Sequence, residues 1–132
     1  MKVKKKYIDV KSKTKQKEIL EETTVYPAFS FRYIHKDFNV DKCETDDKVY
    51  FLQRIVKLCS LTWQDIKSAD RHGFGTEKID KNIIKQQLPK EVTEDIPLLA
   101  LRFRDKKPFV GFWNKYVFYV LFIDSKFTLY KH

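Results

Sequence analysis

The chain has 132 residues, of which 42% are hydrophobic and 15% aromatic, and its 27 basic and 18 acidic residues give a net charge of +9. This length fits one domain, and the apolar content excludes a chain that is disordered throughout. The longest unbroken apolar run, residues 116–123, is far shorter than the ~18 residues that a membrane-spanning helix needs. Lysines follow Met1 where a secretory signal would be apolar, and two cysteines without a framework spacing indicate reduced thiols. We therefore expect a cytoplasmic protein with no membrane association.

The positive charge is concentrated at the N-terminal end. Residues 1–17 contain eight lysines and one aspartate, a net charge of +7, whereas the other 115 residues contain 19 basic and 17 acidic groups, a net charge of +2. One interpretation is a nucleic-acid arm, since each lysine–phosphate contact releases counterions. The other, which is the commoner use of a like-charge block, is a solvated tail. We predict a basic flexible leader over residues 1–24 and a single α+β domain over residues 25–132.

A strand and two helices are predicted after the leader. Aromatic side chains alternate with others from Ala28 to Ile34, which indicates a half-buried strand. Apolar residues recur at steps of three and four between residues 47 and 59, as in an amphipathic helix. The sequence Thr62-Trp63-Gln64-Asp65 has the spacing of a capping box and predicts a second short helix, which glycines then end. Residues 76–97 follow no pattern, so their structure stays open.

The last 35 residues predict an antiparallel meander. Short polar turns separate four runs rich in aromatic and β-branched residues, 98–104, 109–113, 116–123 and 127–131. The predicted fold is therefore α+β, with an N-terminal strand, two to three short helices and a four-stranded antiparallel meander in one mixed or antiparallel sheet. The third run is apolar on both faces and belongs in the sheet centre. The helices can cover one face only, so the N-terminal segment, a second subunit or a ligand is expected on the other.

A glycine-rich loop holds the first group of candidate functional residues. Arg71 and His72 precede Gly73-Phe74-Gly75-Thr76-Glu77, so a cation, an imidazole and a carboxylate share one short segment. A histidine can exchange protons near neutral pH. The plainer explanation, which accounts for more of these residues, is that the glycines end a helix with Arg71 and His72 beside its negative end.

A second group lies in the meander. Alternation places Arg102 and Arg104 on one face of their strand, with Lys106 and Lys107 in the following turn. Two adjacent guanidinium groups suit a phosphate or a carboxylate, although a solvent-facing surface paired with nearby acids is the commoner explanation for any one arginine. His132 is the last residue and makes an imprecise base unless it is docked. The cysteine and histidine spacings predict no metal site, and no motif implies a cofactor.

The order of elements resembles a toxin superfamily. A strand, two short helices, an irregular stretch and a meander that carries arginines and ends in Tyr130-Lys131-His132 are similar to the RelE/ParE superfamily of small bacterial toxins, many of which cleave messenger RNA on the ribosome. The resemblance covers residues 28–132 in element order alone, and the lysine-rich leader, residues 76–97 and the nearly neutral body depart from it. Residues 109–132 are also similar to the ends of small uncharacterised bacterial proteins, which implies no chemistry.

This resemblance implies a small nucleic-acid-associated protein, RNA-directed and toxin-like, whose partner is RNA or the ribosome. If the protein is an enzyme, it is a metal-independent endoribonuclease that transfers a phosphodiester to the RNA 2′-hydroxyl, a reaction that needs a base, an acid and donors to the phosphorane. We expect His72 or His132 as base or acid. The expected nucleic-acid-binding residues are Arg71, Arg102, Arg104, Lys106 and Lys107. The alternative is a non-catalytic protein-interaction module in which an aromatic sheet face binds a partner protein or a second copy.

Overall fold

The computed structural model describes residues 25–70 and 73–131. In chain order, these residues form β1 (Ala28–Ser30), α1 (Thr45–Cys59), α2 (Trp63–Ser68), β2 (Glu77–Ile79), β3 (Leu98–Arg104), β4 (Lys107–Asn114) and β5 (Val117–Ile123). Single turns of 3-10 helix occupy Lys36–Phe38, Val40–Lys42 and Lys81–Ile83. The predicted leader over residues 1–24 lies outside the described residues.

The strands form one mixed sheet in the order β1-β5-β4-β3-β2. The pairs β2–β3, β3–β4 and β4–β5 are antiparallel. Strand β1 pairs with β5 in parallel and sets Phe29 opposite Phe118. The predicted α+β class is confirmed, as is the inner position of the doubly apolar strand, β5.

The predicted strand over residues 127–131 is wrong. The buried Asp124 carboxylate accepts hydrogen bonds from the backbone N–H groups of Thr128 (2.8 Å) and Leu129 (3.1 Å), and Phe127 has a φ of 57°. A side chain therefore satisfies the donors that a neighbouring strand would have used, and the chain folds back over the sheet. The antiparallel partner missing from the prediction is β2, which lies in the stretch that followed no pattern.

Both helices form where the sequence places them. Thr62 Oγ1 accepts from the Asp65 N–H (3.1 Å), and the Asp65 carboxylate accepts from the Thr62 N–H (3.0 Å), so the capping box is complete. This cap starts α2 at the point where Trp63 and Ile66 turn into the core, and both side chains are almost wholly buried. Helix α1 buries Phe51 through its inward face.

The sheet separates two apolar clusters, one on each face. On the first face, α1 and α2 pack against side chains of β3, β4 and β5. Irregular segments of the same chain cover the second face. The residues that they contribute include Tyr33, Phe38, Ile84, Leu88, Val92, Ile96, Leu129 and Tyr130. The sequence predicted an N-terminal segment, a second subunit or a ligand on this face. Among the described residues, Tyr33 and Phe38 of the N-terminal part supply cover, together with apolar residues of other irregular segments.

An irregularity between β4 and β5 shapes the second face. Val110 pairs with Phe122 but Gly111 pairs with Val120, so Leu121 is an extra residue in β5. Leu121 and Phe122 consequently face the same cluster, although consecutive residues of a regular strand point to opposite faces. Gly111 permits this register, because a Cβ there would lie 2.8 Å from Phe118 Cε2 and closer still to the Tyr119 carbonyl oxygen.

Candidate functional site

Three of the predicted site residues, Arg71, His72 and His132, lie outside the described residues. Their assignment as nucleic-acid-binding or proton-transferring groups stays a prediction. The structure does describe the surroundings of Arg102, Arg104, Lys106 and Lys107.

Arg104 and Lys107 bind one buried carboxylate. Arg104 Nη1 lies 3.0 Å from Asp47 Oδ1 and Lys107 Nζ lies 2.8 Å from Asp47 Oδ2. Burial by itself raises the pKa of the Asp47 carboxyl, but the hydrogen bonds from Lys107 and Arg104 outweigh it, so this pKa lies below its ordinary value of 3.8. The Arg104 guanidinium also lies 4.5 Å from the centre of the Tyr50 ring. These contacts join the first turn of α1 to the β3–β4 turn, so a phosphate would have to compete with Asp47 for both cations.

Arg102 has a different carboxylate. Its Nη2 lies 3.4 Å from Glu77 Oε1 on the neighbouring strand β2, and its backbone carbonyl accepts a hydrogen bond from Arg54 Nη1 at 2.8 Å. The sequence suggested that Arg102 and Arg104 could bind one shared anion. In the structure Arg102 contacts Glu77 and Arg104 contacts Asp47. Lys106 is exposed at the tip of the turn.

Tyr130 lies near Arg102 and Glu77. Burial, reinforced by the negative charges of Glu77 and Asp124, raises the pKa of the Tyr130 phenol to about 12. The phenol is therefore protonated at neutral pH and can donate a hydrogen bond, but it is a poor base.

A groove on the loop-covered face combines an imidazole, lysines and aromatic rings. We call it the His35 groove; it has a volume of about 510 Å³ and is lined by Tyr33, His35, Lys36, Gln87, Leu88, Pro89, Lys90, Leu121 and Phe122. The irregularity in β5 supplies its floor, because Leu121 and Phe122 face the same side. The lining contains two exposed lysines and no carboxylate, which favours an anionic ligand.

His35 is fixed in this groove by three sets of contacts. Its backbone N–H donates to the Leu121 carbonyl at 2.8 Å, and its Nδ1 accepts from the Asp37 N–H at 3.1 Å. Its ring packs against Phe38 and Phe122, with centroid separations of 5.6 Å in both cases. Because Nδ1 accepts a hydrogen bond, the ring proton is placed on Nε2 in the neutral form, which leaves Nε2–H as the donor available to a ligand.

A second basic groove adjoins the same irregular segment. This Tyr130 groove has a volume of about 390 Å³ and is lined by Ile83, Lys85, Gln86, Phe127, Thr128, Leu129, Tyr130 and Lys131. Ile83, Lys85 and Gln86 line the Tyr130 groove, and residues 87–90 line the His35 groove. The two grooves together present four lysines and no carboxylate among their lining residues.

A larger cavity beside β2 has the opposite electrostatic character. Its volume is about 650 Å³, and its lining includes Asp80, Glu94 and Asp95 as well as two lysines. One of these, Lys81, donates to the backbone carbonyls of Thr93 (2.6 Å) and Glu94 (3.1 Å). This cavity is less suited to an anion, because its acids exceed its lysines in number.

The residues that distinguish the grooves were missed by sequence reasoning. His35 follows the predicted first strand, where a lone histidine is most often structural, and Lys85 and Lys90 lie in the stretch without a pattern. The adjacent His35-Lys36 pair was the available signal, but nothing in the sequence predicts that residues 87–90 pass beside it.

The described side chains and helices offer two further observations. Within residues 25–70 and 73–131, no group of three or more His, Cys, Asp and Glu side chains is placed to hold a metal ion. No helix in that part of the chain is long and apolar enough to pass through a bilayer.

Comparisons with protein-family models, with curated proteins and with solved structures find no match to this chain.

Proposed function

We propose that this protein is a nucleic-acid-associated protein that binds single-stranded RNA along the His35 and Tyr130 grooves. The observation that carries the proposal is the lining of these adjoining grooves, which has lysines and aromatic rings and no carboxylate. Of the residues expected from the sequence, Arg102, Arg104 and Lys107 support RNA binding less well, because Glu77 pairs with Arg102 and Asp47 pairs with both Arg104 and Lys107.

The chemistry of the grooves suits the two parts of a nucleotide. Lysine ammonium groups at positions 36, 90, 85 and 131 would contact successive phosphates, which gives affinity that falls with salt. The 41% exposed Phe127 offers a ring face on which an unpaired base stacks. Single-stranded RNA fits better than a duplex, because only unpaired bases present their faces to a groove.

The N-terminal lysines add a long-range contribution. Residues 1–17 carry a net charge of +7, which attracts a polyanion without reading its sequence. In this proposal the leader raises the affinity and the grooves determine which form of nucleic acid is bound.

The toxin-like endoribonuclease is the catalytic form of the same proposal. It requires a base and an acid beside the scissile phosphate, for which His72 and His132 are the candidates. Loss of RNA cleavage in His72→Ala or His132→Ala, with RNA binding retained, would support it. Equal activity in both variants and the parent chain would reject these assignments.

The experiment for the binding proposal is fluorescence anisotropy of a labelled single-stranded RNA of about 12 nucleotides against a salt series. We expect Lys36→Glu/Lys90→Glu to weaken binding by at least about tenfold and to reduce the salt slope by about 2. The matched control is Lys42→Glu/Lys115→Glu, which makes the same change of net charge at exposed lysines outside the grooves.

Three outcomes separate the possibilities. A larger loss in the groove variant than in the control, with a duplex bound more weakly than the single strand, supports the proposal. Equal losses in both variants would mean that net charge alone attracts RNA. Binding that disappears on deletion of residues 1–17 and is unaffected by the groove variant would assign RNA binding to the leader.

The alternative function, a non-catalytic interaction module, was expected to use an aromatic sheet face. In the described part of the chain both faces of β5 are covered. A different surface, the apolar side of α1, favours association with another protein chain.

A further inference from the structure

Helix α1 has a second apolar face that points to solvent. Val49, Leu52 and Val56 are 50%, 62% and 64% exposed, and Cys59 is also exposed. The inward face of the helix is separate and consists of Phe51, Ile55 and Leu58. A helix that packs on a core by one face ordinarily presents polar side chains on its other faces. We therefore expect another polypeptide segment to cover this exposed apolar row.

The spacing of the row is that of a helix–helix seam. Val49, Leu52, Val56 and Cys59 follow each other at steps of three, four and three, which is the alternation of a and d positions in a heptad repeat. We call these four residues the α1 seam. They form a straight apolar stripe along about 15 Å of the helix, and none of the four carries a charge.

The α1 seam is complementary to itself in an antiparallel arrangement. A two-fold axis beside residue 54 places Val49 of one copy opposite Cys59 of the other, and Leu52 opposite Val56. Every larger side chain then meets a smaller one, and both copies use the same surface, as a two-fold interface requires. No insertion or register slip is needed to pair all four residues.

The charges at the helix ends favour the antiparallel direction. The exposed charges at the start of α1 are Glu44, Asp46 and Lys48, which leave this end with a net charge of −1, and exposed Lys57 in the last turn carries +1. Antiparallel pairing brings the acidic end of each helix to the basic end of the other and opposes the two helix dipoles. Parallel pairing would instead set Asp46 beside Asp46 and Lys57 beside Lys57.

We propose that the α1 seam is a self-association surface and that its occupant is the α1 seam of a second copy of this chain, in antiparallel orientation about a two-fold axis. Four small or medium side chains per copy make a short interface, so the dimer is weak and forms in a concentration-dependent way. The grooves lie on the opposite face of the sheet, and the dimer therefore leaves them open to RNA.

The first measurement is the molar mass of the full chain by light scattering and sedimentation over a wide concentration series. We expect Val56→Glu to weaken dimerisation by at least about tenfold, because it buries a carboxylate against the apolar seam of the partner. The matched control, Val40→Glu, places the same side chain at another exposed valine away from α1 and leaves dimerisation unchanged. Circular dichroism of both variants checks that the fold is retained.

The second measurement is oxidative cross-linking, in which the appearance of a covalent dimer reports the direction of helix pairing. Cys59 is the exposed native thiol and Cys43 is buried. In the antiparallel arrangement Cys59 meets Val49 of the other copy, so Val49→Cys gives a covalent dimer on mild oxidation, whereas the parent chain does not. The cross-link disappears when Val49→Cys is combined with Cys59→Ser.

Three results would overturn the proposal. A chain that stays monomeric at every concentration has no self-association surface. A parent chain that cross-links through Cys59 alone is paired in parallel. If the chain is monomeric and Cys59 reacts slowly with a thiol reagent, but faster after Val56→Glu, the α1 seam is covered by the chain's own N-terminal residues.

Discussion

The two faces of the sheet are covered in different ways. Regular helices cover the first face, and their periodic side chains fill one continuous cluster around Phe109 and Phe118. Irregular segments cover the second face, where single residues such as Phe38 and Ile84 pack against the sheet. The gaps between these segments are the His35 and Tyr130 grooves. The comparison shows how one sheet obtains a packed face that stabilises it and a recessed face with room for a ligand.

Truncation of one phenylalanine on each face tests this comparison with the largest expected effect. Phe118 packs against Phe29, Trp63 and Phe109 under the helices. Phe122 packs against His35 and Phe38 under the irregular cover. We expect Phe118→Ala to lower the free energy of unfolding by about 4 kcal/mol and Phe122→Ala by about 3 kcal/mol, because irregular chain can collapse into the space. Urea unfolding measures both, and equal losses would show that the two covers are equally rigid.

Removal of the Asp47 charge has the next largest expected effect. Asp47→Asn leaves Arg104 and Lys107 without a carboxylate, and since both cations are partly exposed we expect a loss of about 2 kcal/mol at neutral pH. The exposed Asp46→Asn is the matched control and should change stability far less.

The pH dependence follows from the direction of the Asp47 pKa. This pKa lies below its ordinary value of 3.8 in the folded protein, so the stabilisation is fully present above that value and is lost as the pH falls through the folded pKa. The unfolding free energies of the parent and Asp47→Asn should therefore converge on acidification from about pH 7 to about pH 2. A constant difference over this range would contradict an electrostatic role for Asp47.

Loss of a cap on each side of the sheet should give the smallest effects. Thr62→Ala removes the cap that orients Trp63 and Ile66, and we expect a loss of about 1 kcal/mol. Asp80 accepts from the Asn82 N–H at 2.9 Å at the start of a turn that buries no side chain and lies between Ile79 and Ile84 of the second cluster, so Asp80→Ala should cost about half as much. Thermal unfolding of the two variants makes the comparison, and a larger loss for Asp80→Ala would reverse the order of stability that we assign to the two faces.

Much of the first face could be predicted from the sequence. The steps of three and four in residues 47–59 and the capping box at Thr62 are local signals, and α1 and α2 form where these signals occur. The runs at 98–104, 109–113 and 116–123 predicted β3, β4 and β5, because alternation and turn residues act over a few positions. The same stretch of sequence predicts a single core-facing side for α1, and only the structure shows that the α1 seam is exposed and distinct from the inward face.

The candidate site could not be predicted in the same way. Arg102 and Arg104 looked like an anion site because alternation describes only their own strand, and the acids that neutralise them come from β2 and α1. The sequence did not indicate His35 and Lys90 as site residues, because they are far apart in the chain and become neighbours only across the groove.

By itself, the sequence determined the helices, most of the strands and the α+β class, since hydrogen bonds and side-chain direction within each element repeat with a short period. Tertiary structure alone decided that Glu77–Ile79 pairs with β3 and that the chain after Asp124 folds back instead of forming a strand. It also decided which basic side chains form ion pairs with a carboxylate and which line a groove without acidic residues. The physical reason is that these outcomes depend on contacts between residues distant in sequence, and such contacts have no period to detect.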